Sequence, residues 1–444
     1  MKNRLSLLIG HISYKLLRIL GRNGTALPGN LALRIDNNII KKLKGNYEKI
    51  VYITGTNGKT TTNNIANEIF KYDFSTLSNL EGSNMIEGVA TPIILNSKKN
   101  YDWGIFEVDE GSMVNVAEHM IPDYMIITNF FRDQLDRYGE VENTIKLVHN
   151  SIDPKTTLIL NADDPSALYF DDLDNKKVYF SQDYNNFSKG DINVAESIFC
   201  PKCGKRLDYE YINYGNIGKY NCPYCGAHNP KSDYKVTNVE INHDNTYEIE
   251  INNDFKVKLN ILGSYNVYNA IAAISLALEK KIPPKIIQKQ IETFKYERGR
   301  METFEINKEK MILTLSKNPV GLSEVFRTLT FDKTKKSIMF ILNDKPADGE
   351  DPSWIWDADF SEVKSIENID YFYCVGTRAE EIAIRLKYED FDTDKLKIYS
   401  SENDNIETAI NDIIGQKDTD KYIIGTFTAM PQARKIIVDK IDGG

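Results

Sequence analysis

The chain has 444 residues, enough for roughly three domains. Hydrophobic residues make up 41% and charged ones 27%, and 26 glycines with 14 prolines are too few for a disordered or fibrous chain. A net charge of −9 argues against a dedicated nucleic-acid binder, and no apolar run reaches the roughly 18 residues of a membrane-spanning helix.

Residues 1–45 run against that charge balance, with Lys2, Arg4, Lys15, Arg18, Arg22, Arg34, Lys41, Lys42 and Lys44 facing one acid, Asp36. Leu5, Leu8, Ile9, Ile12, Leu16, Ile19 and Leu20 recur at helical spacing, so this segment reads as basic, amphipathic and helical. Cations interrupt Met1 to Leu20 and no small-residue cleavage site follows, which does not fit a signal peptide. The apolar face either packs on its own domain or meets a membrane surface or lipid substrate.

Lys49 to Thr54 is an apolar, β-branched run that ends in glycine before a helical pattern: strand, loop, helix. Tyr101 to Val108, Tyr124 to Thr128 and Thr157 to Leu160 repeat the strand pattern, so βαβ units and a mostly parallel sheet are expected. Composition shifts to Cys, Gly, Tyr and Asn between Cys200 and Cys225, an inserted module within residues 198–228. Val236 to Ile261 alternates and suggests an antiparallel patch, and Gly263 to Leu278 reads as a helix with alanines where it packs closely. After Arg300 a second series begins, with strands at Met311 to Leu315, Ser337 to Leu342, Tyr371 to Val375, Leu396 to Tyr399 and Tyr422 to Gly425. Helices are expected at Ala379 to Tyr388 and Ile406 to Ile414. The expected architecture is α/β: a central domain over 46–300 and a Rossmann-like domain over 301–444, the latter without a dinucleotide fingerprint.

The strand from Lys49 runs into Gly55-Thr56-Asn57-Gly58-Lys59-Thr60-Thr61. Glycines let successive amides face a phosphate, and the following helix N-terminus adds partial positive charge. Lys59 is placed to meet the β- and γ-phosphates of a nucleotide and the Thr60 hydroxyl to ligate Mg²⁺. The full Walker pattern asks for glycine where this chain has Ile53, so the loop is a shorter form. A second Mg²⁺ ligand is expected at a neighbouring strand end, where Phe106-Glu107-Val108-Asp109-Glu110-Gly111 stands. Glu107 alternates with Phe106 and Val108, and an inward charge is costly unless paired or metal-bound. Metal is the favoured reading.

Cys200-Pro-Lys-Cys203-Gly and Cys222-Pro-Tyr-Cys225-Gly are two zinc knuckles, and four thiolates make a closed, structural Zn²⁺ site. The fifth cysteine, Cys374, lies in an apolar strand and reads as a small buried hydrophobe. Five cysteines, four of them in two CxxC pairs, point to a metal rather than disulfides and so to a reducing, cytoplasmic compartment.

The loop GTNGKTTT resembles that of the ATP-dependent Mur ligase family. So do the Glu107 strand, Thr128-Asn129 with Asp133-Gln134-Leu135-Asp136 and Gly139, and Asn266-Val267-Tyr268-Asn269-Ala270 before Ala272 and Ala273. Arg298-Gly299-Arg300-Met301-Glu302 is similar to that family's link between central and C-terminal domains, and Asn318-Pro319 to its ribose-side motif. The resemblance covers the chain from Val51 onward. It implies that Asn269 contacts adenine, that Arg300 reaches the nucleotide phosphates or ribose, and that Thr60 and Glu107 hold Mg²⁺. Gln134 stands where the family commonly has histidine. Val148 and His149 stand near the position of the lysine that many members carbamylate, with Lys146 off that spacing. The amino-acid-adding enzymes use that lysine for a second metal.

The ribbon, the Glu107 strand end, NFFRDQLDRYGE (129–140) and NDKPADGEDPSW (343–354) together resemble one branch of the family, the synthetase subunits of two-subunit enzymes. That resemblance implies ATP-dependent amidation of the α-carboxyl of D-glutamate in lipid II, with ammonia from a glutaminase partner, GatD. Triad glutaminases use Cys and His oriented by a third carboxylate. The resemblance implies that Asp351 supplies it, in a loop with Asp344, Asp348, Asp357, Asp359, Trp354 and Trp356. Two other classes stay open: a Mur- or folylpolyglutamate-type ligase that adds an amino acid, and a non-catalytic interaction protein that binds ATP and zinc.

Overall fold

The computed structural model describes residues 2–79, 83–132, 141–190, 199–242, 246–261, 263–294, 301–306, 308–399 and 405–442. Three helices, α1 (Lys2–Ile19), α2 (Leu27–Ile35) and α3 (Ile39–Leu43), precede β1 (Tyr47–Thr54) and α4 (Lys59–Phe70). Next come β2 (Thr76–Ser78), α5 (Ile86–Leu95), β3 (Tyr101–Glu107), α6 (Met113–His119), β4 (Tyr124–Ile127), α7 (Val141–Asn150), β5 (Thr157–Asn161) and β6 (Lys177–Gln182). A hairpin, β7 (Asp208–Tyr214) and β8 (Ile217–Asn221), stands apart as its own antiparallel pair. β9 (Tyr234–Ile241), β10 (Tyr247–Ile251), β11 (Phe255–Leu259), α8 (Tyr265–Glu279) and α9 (Pro284–Thr293) follow.

The first sheet has the order β11-β10-β9-β6-β5-β4-β1-β3-β2. It is parallel from β2 to β9 and antiparallel across β9-β10-β11. Near-continuous burial along β1 and β3 fits strands covered on both faces. One face is covered by α4, α8 and α9, where Ile65, Ile69 and Phe70 pack with Ala270, Ala273, Ile274 and Ala277. Alanine along α8 lets it lie close to α4. The other face is covered by α2, α3, α5, α6 and α7, with Ala32, Ile40, Val89, Ile93, Val116 and Val148 in the core. Register pairs Ile53 with Glu107 and with Ile126, so the carboxyl ends of β1, β3 and β4 finish side by side. Ligands of open α/β sheets bind at such ends.

The remaining elements are β12 (Glu302–Ile306), β13 (Glu309–Leu315), α10 (Pro319–Phe331), β14 (Lys336–Ile341), α11 (Ser361–Ser365), β15 (Ile369–Val375), α12 (Ala379–Tyr388), β16 (Leu396–Ile398), α13 (Ile406–Gly415), β17 (Asp420–Gly425) and α14 (Ala429–Asp442). Their sheet runs β12-β13-β17-β14-β15-β16, with β12 an antiparallel edge on otherwise parallel strands. Cys374 is fully buried in β15. The sequence pattern did not show β2, β6, the β7–β8 hairpin, β12, α10 or α14. The α1 helix forms as expected but docks through Ser6, Gly10 and Ser13, with Leu7 against the core, while Leu5, Leu8 and Leu16 of the expected stripe stay exposed. Among the described residues, no helix is long and apolar enough to cross a membrane.

Candidate functional site

The loop from β1 to α4 is shaped by sterics. Gly55 has φ of +117° and Gly58 of +89°, conformations that side chains disfavour. A Cβ on Gly58 would stand 1.9 Å from Asn269 Oδ1, and one on Gly55 2.4 Å from Thr128 Oγ1. Glycine at both positions is what lets the end of β4 and the start of α8 close on the loop. Asn129 clamps Asn57: the Asn57 amide donates to Asn129 Oδ1 at 2.9 Å, and Asn129 Nδ2 donates back to the Asn57 carbonyl at 3.1 Å. Thr56 Oγ1 donates to the Phe131 carbonyl at 3.1 Å. Asn57 Nδ2 is buried with no hydrogen-bond partner among the described residues.

Lys59 folds back over the loop. Its Nζ donates to the Gly55 carbonyl at 2.6 Å and to Glu110 Oε2 at 3.0 Å, a pair with side chains 8% and 9% exposed. Burial is the largest influence and works against the charge. Glu110, Asp109 and Glu107 together outweigh it and hold the ammonium above its ordinary pKa. Beside it, Thr60 Oγ1 donates to Glu107 Oε2 at 2.6 Å, and Asn84 Nδ2 donates to Glu107 Oε1 at 2.9 Å. Asn79 fixes the Glu107 backbone in both directions, at 2.9 and 2.8 Å. The expected inward charge is therefore an oriented carboxylate facing the Thr60 hydroxyl, an oxygen donor set that suits Mg²⁺. Thr61 is buried in the first turn of α4.

The second sheet reaches the same loop. Asn318 caps α10, accepting from the Gly321 amide at 2.8 Å, and its Nδ2 donates to Asn57 Oδ1 at 2.9 Å. Asn269 lies on Gly58, with its amide donating to Asn266 Oδ1 at 2.9 Å. Arg300 and residues 133–136 and 139 lie outside the described residues. Val148 is fully buried, His149 pairs with Asp172 at 2.9 Å, and Lys146 is exposed, so none of the three offers a lysine amine to a buried site.

Two acids went unread in the sequence. Asp163 and Asp164 follow β5, and burial pushes their pKa values up to about 7 and about 6. Asp163 accepts from Tyr268 Oη at 2.8 Å and from Asn229 Nδ2 at 3.1 Å, linking α8 to the cysteine module. Paired acids directly after an apolar strand, at Asn161-Ala162-Asp163-Asp164-Pro165, were the available signal.

The four cysteines converge, with all Sγ atoms within 4.8 Å of one another and two of the pairs at 3.5 and 3.6 Å. A tetrahedral site with bonds of about 2.3 Å has edges of about 3.8 Å, so the set fits Zn²⁺. Amides of Lys202 and Cys203 point at Cys200, and those of Tyr224 and Cys225 at Cys222. Gly204 and Gly226, at φ +68° and +76°, make the turns that aim them.

In the second domain, Asp351 is exposed and caps the short turn Pro352–Trp356, accepting from the Ser353 amide at 2.9 Å. Its neighbours are engaged in the fold. Asp348 is buried against Thr428, Asp344 binds Arg378 at 2.7 Å, and Asp359 accepts from the Ser361 amide at 3.1 Å. Asp357 faces Arg132 at 3.6 Å.

A parallel sheet whose carboxyl ends carry a glycine loop, a buried lysine and paired oxygen ligands has the layout of a nucleotide-dependent ligase. The Mur ligase middle domain matches residues 53–231, and the MurT ligase C-terminal domain matches residues 315–430. Two solved structures share the fold. The pseudomurein peptide ligase type C of Methanothermus fervidus has a TM-score of 0.68 at 24% identity, over 92% of this chain and 83% of that one. The MurF ligase of Thermotoga maritima, solved in complex with ADP, has a TM-score of 0.63 at 13% identity, over 93% and 84%. The MurT subunit of lipid II isoglutaminyl synthase (glutamine-hydrolyzing) from Streptococcus pneumoniae is 35% identical over 99% of this chain and 98% of its own. That from Staphylococcus aureus strain COL is 35% identical over 85% and 86%. The chain belongs to the MurT branch of the Mur ligase family.

Proposed function

We propose that this chain is the synthetase subunit of a lipid II isoglutaminyl synthase, converting the α-carboxyl of D-glutamate in the stem peptide to the amide. The observation that carries the reading is the joint placement of Lys59, Glu110, Thr60 and Glu107 at one strand end, in a chain similar to MurT subunits along nearly all its length. Residues 46–300, with the ribbon 198–228, form the ATP-binding unit, and 301–444 the C-terminal unit that closes on it through Asn318.

In this reading the substrate carboxylate attacks the γ-phosphorus of ATP, the bond to the bridging oxygen breaks, and ADP leaves an acyl phosphate. Ammonia then attacks the carbonyl carbon, phosphate departs and a proton is lost, giving the amide. Lys59 turns its ammonium from Glu110 to the β- and γ-oxygens, with the loop amides from Thr56 to Thr61 around the phosphates. Thr60 and Glu107 would hold Mg²⁺, which would supply positive charge against the phosphates. Asn84 keeps the Glu107 carboxylate turned to that position. Asn57, whose Nδ2 has no partner among the described residues, offers a donor to the nucleotide. Asn269 and Arg300 meet adenine and the phosphates or ribose, as in the wider family. The four cysteines hold Zn²⁺ as a structural ion.

The word "subunit" in the relatives' names points to a partner. We assign it as a GatD-type glutaminase that supplies ammonia, with Asp351 lent to its Cys-His pair. The position of Val148, His149 and Lys146 supports ammonia rather than an amino acid as nucleophile. The complex works in the cytoplasm on a substrate held in the inner face of the membrane. ADP release tests all of this. It is expected only with lipid II and either glutamine plus the partner or free ammonia. ADP release driven by an amino acid without any ammonia source would overturn the assignment.

A further inference from the structure

The apolar stripe of α1 faces away from the protein. Leu5, Leu8, Ile12, Leu16 and Ile19 are 49%, 56%, 47%, 55% and 81% exposed, and Leu20 continues the stripe at 72%. At spacings of three and four residues they form one line roughly 20 Å long, at about 1.5 Å per residue. Helix docking is not loose. Ser6 Oγ donates to the Ala32 carbonyl at 2.9 Å, and a Cβ on Gly10 would stand 2.8 Å from Ile94 Cγ2. The small residues, with Leu7 beside them, bring α1 tightly onto α2 and α5, so the face that carries Leu5, Leu8, Ile12 and Leu16 is turned outward. This inverts the usual soluble arrangement, in which the apolar stripe faces the core.

Charge is arranged to match. Arg4, Lys15 and Arg18 are exposed and fall by helical periodicity along one flank of the stripe, and Arg22 follows in the next turn. Neither α1 nor α2 carries an acid, and α5 carries one, Glu87. The whole chain has a net charge of −9, so this cationic end is drawn to an anionic surface against the overall charge balance. A straight apolar line flanked by cations fits a plane.

We propose that α1 lies along an anionic phospholipid surface, with its leucines at the acyl boundary and its cations among headgroup phosphates. This deepens the reading of a lipid-held substrate, and it gives the molecule a fixed orientation on the bilayer.

The test uses the full chain and vesicles without substrate: phosphatidylcholine alone, or mixed with phosphatidylglycerol. Sedimentation is expected with the mixed vesicles, weakening as salt rises. Arg4→Gln/Lys15→Gln/Arg18→Gln should lower the partition coefficient by about fivefold per charge. Leu8→Gln/Leu16→Gln should abolish binding at low salt while melting like the wild type. Absence of binding to phosphatidylglycerol vesicles, or wild-type binding by both variants, would overturn the proposal. So would an apolar variant that keeps vesicle binding but loses self-association or the glutaminase subunit, since the stripe would then be a protein interface. The vesicles contain no substrate, so failure here leaves the amidation reading standing, and failed ADP release leaves this one standing.

Discussion

Lys59→Ala separates what a buried lysine does for the fold from what it does for chemistry. Its ammonium neutralises Glu110 at 3.0 Å and caps the Gly55 carbonyl, inside a site where both side chains are under a tenth exposed. Removing it leaves the Glu110 carboxylate buried without its cation, a defect that costs about 3–5 kcal/mol. At about 2–4 °C per kcal/mol for a domain of this size, melting should fall by roughly 10 °C. Turnover should fall further, on the order of 10²–10³, because a charge aimed at a transferring phosphoryl group is gone. Lys59→Ala/Glu110→Gln removes the stranded carboxylate and should recover most of the melting temperature and none of the activity. Calorimetry and ADP release on the three proteins decide the matter. A single variant that melts like the wild type would mean the buried pair does not form in solution. A double variant with near-normal turnover would remove the triphosphate from this loop.

Metal analysis should find one Zn²⁺ per chain, and Cys203→Ser should lower metal content and melting temperature together; metal-free protein of unchanged stability would refute the site. Asp351→Asn should suppress glutamine-driven amidation while leaving the complex intact and ammonia-driven amidation normal, and unaltered glutamine hydrolysis in the complex would show a surface acid only. Asp163 and Asp164 predict a pH dependence. Their folded pKa values of about 7 and about 6 lie above the ordinary 3.8, so the folded protein binds more protons across that interval. Stability attributable to them is full below about 3.8, falls as pH rises towards 7, and levels off above it. Asp163→Asn should flatten that slope in melting curves recorded from pH 4 to 8, and an unchanged slope would place the titration elsewhere.

The strands that carry the site were legible because each is an apolar run with a chemical signal at its end. Lys49 to Thr54 leads into Gly55 and then Gly58-Lys59-Thr60, and Tyr101 to Val108 ends in a cluster of acids. The helix Ala379–Tyr388 was legible from periodicity alone. Three things were not. β2 and β6 are short or mixed in polarity, and their pairing is fixed by neighbours rather than by pattern. Asn318 meets Asn57 only because two sheets pack together, a contact between residues too far apart in the chain for any local signal. The outward stripe of α1 was hidden for the opposite reason: its periodicity was plain, but which face docks depended on how closely Ser6 and Gly10 could approach Ala32 and Ile94. Amphipathicity gives a direction and leaves its sign open.

Between the parallel neighbours β6 and β9, where a crossover helix usually runs, this chain places the cysteine hairpin. The hairpin is wedged in by its own contacts. Asn213 Nδ2 donates to the Gln182 carbonyl at 3.0 Å, Arg327 donates to the Asn213 carbonyl at 3.1 Å, and Gly215 sits against Phe131 and Val320. Completing the sheet past β6 therefore runs through a loop whose four cysteines would be drawn together by a bound metal. Without it, β6 is left as a raw edge with its amides unpaired, a template for other chains. Zinc supply would then govern how much enzyme matures during synthesis, and starvation for the metal would appear as aggregated chain long before it appeared as slower chemistry.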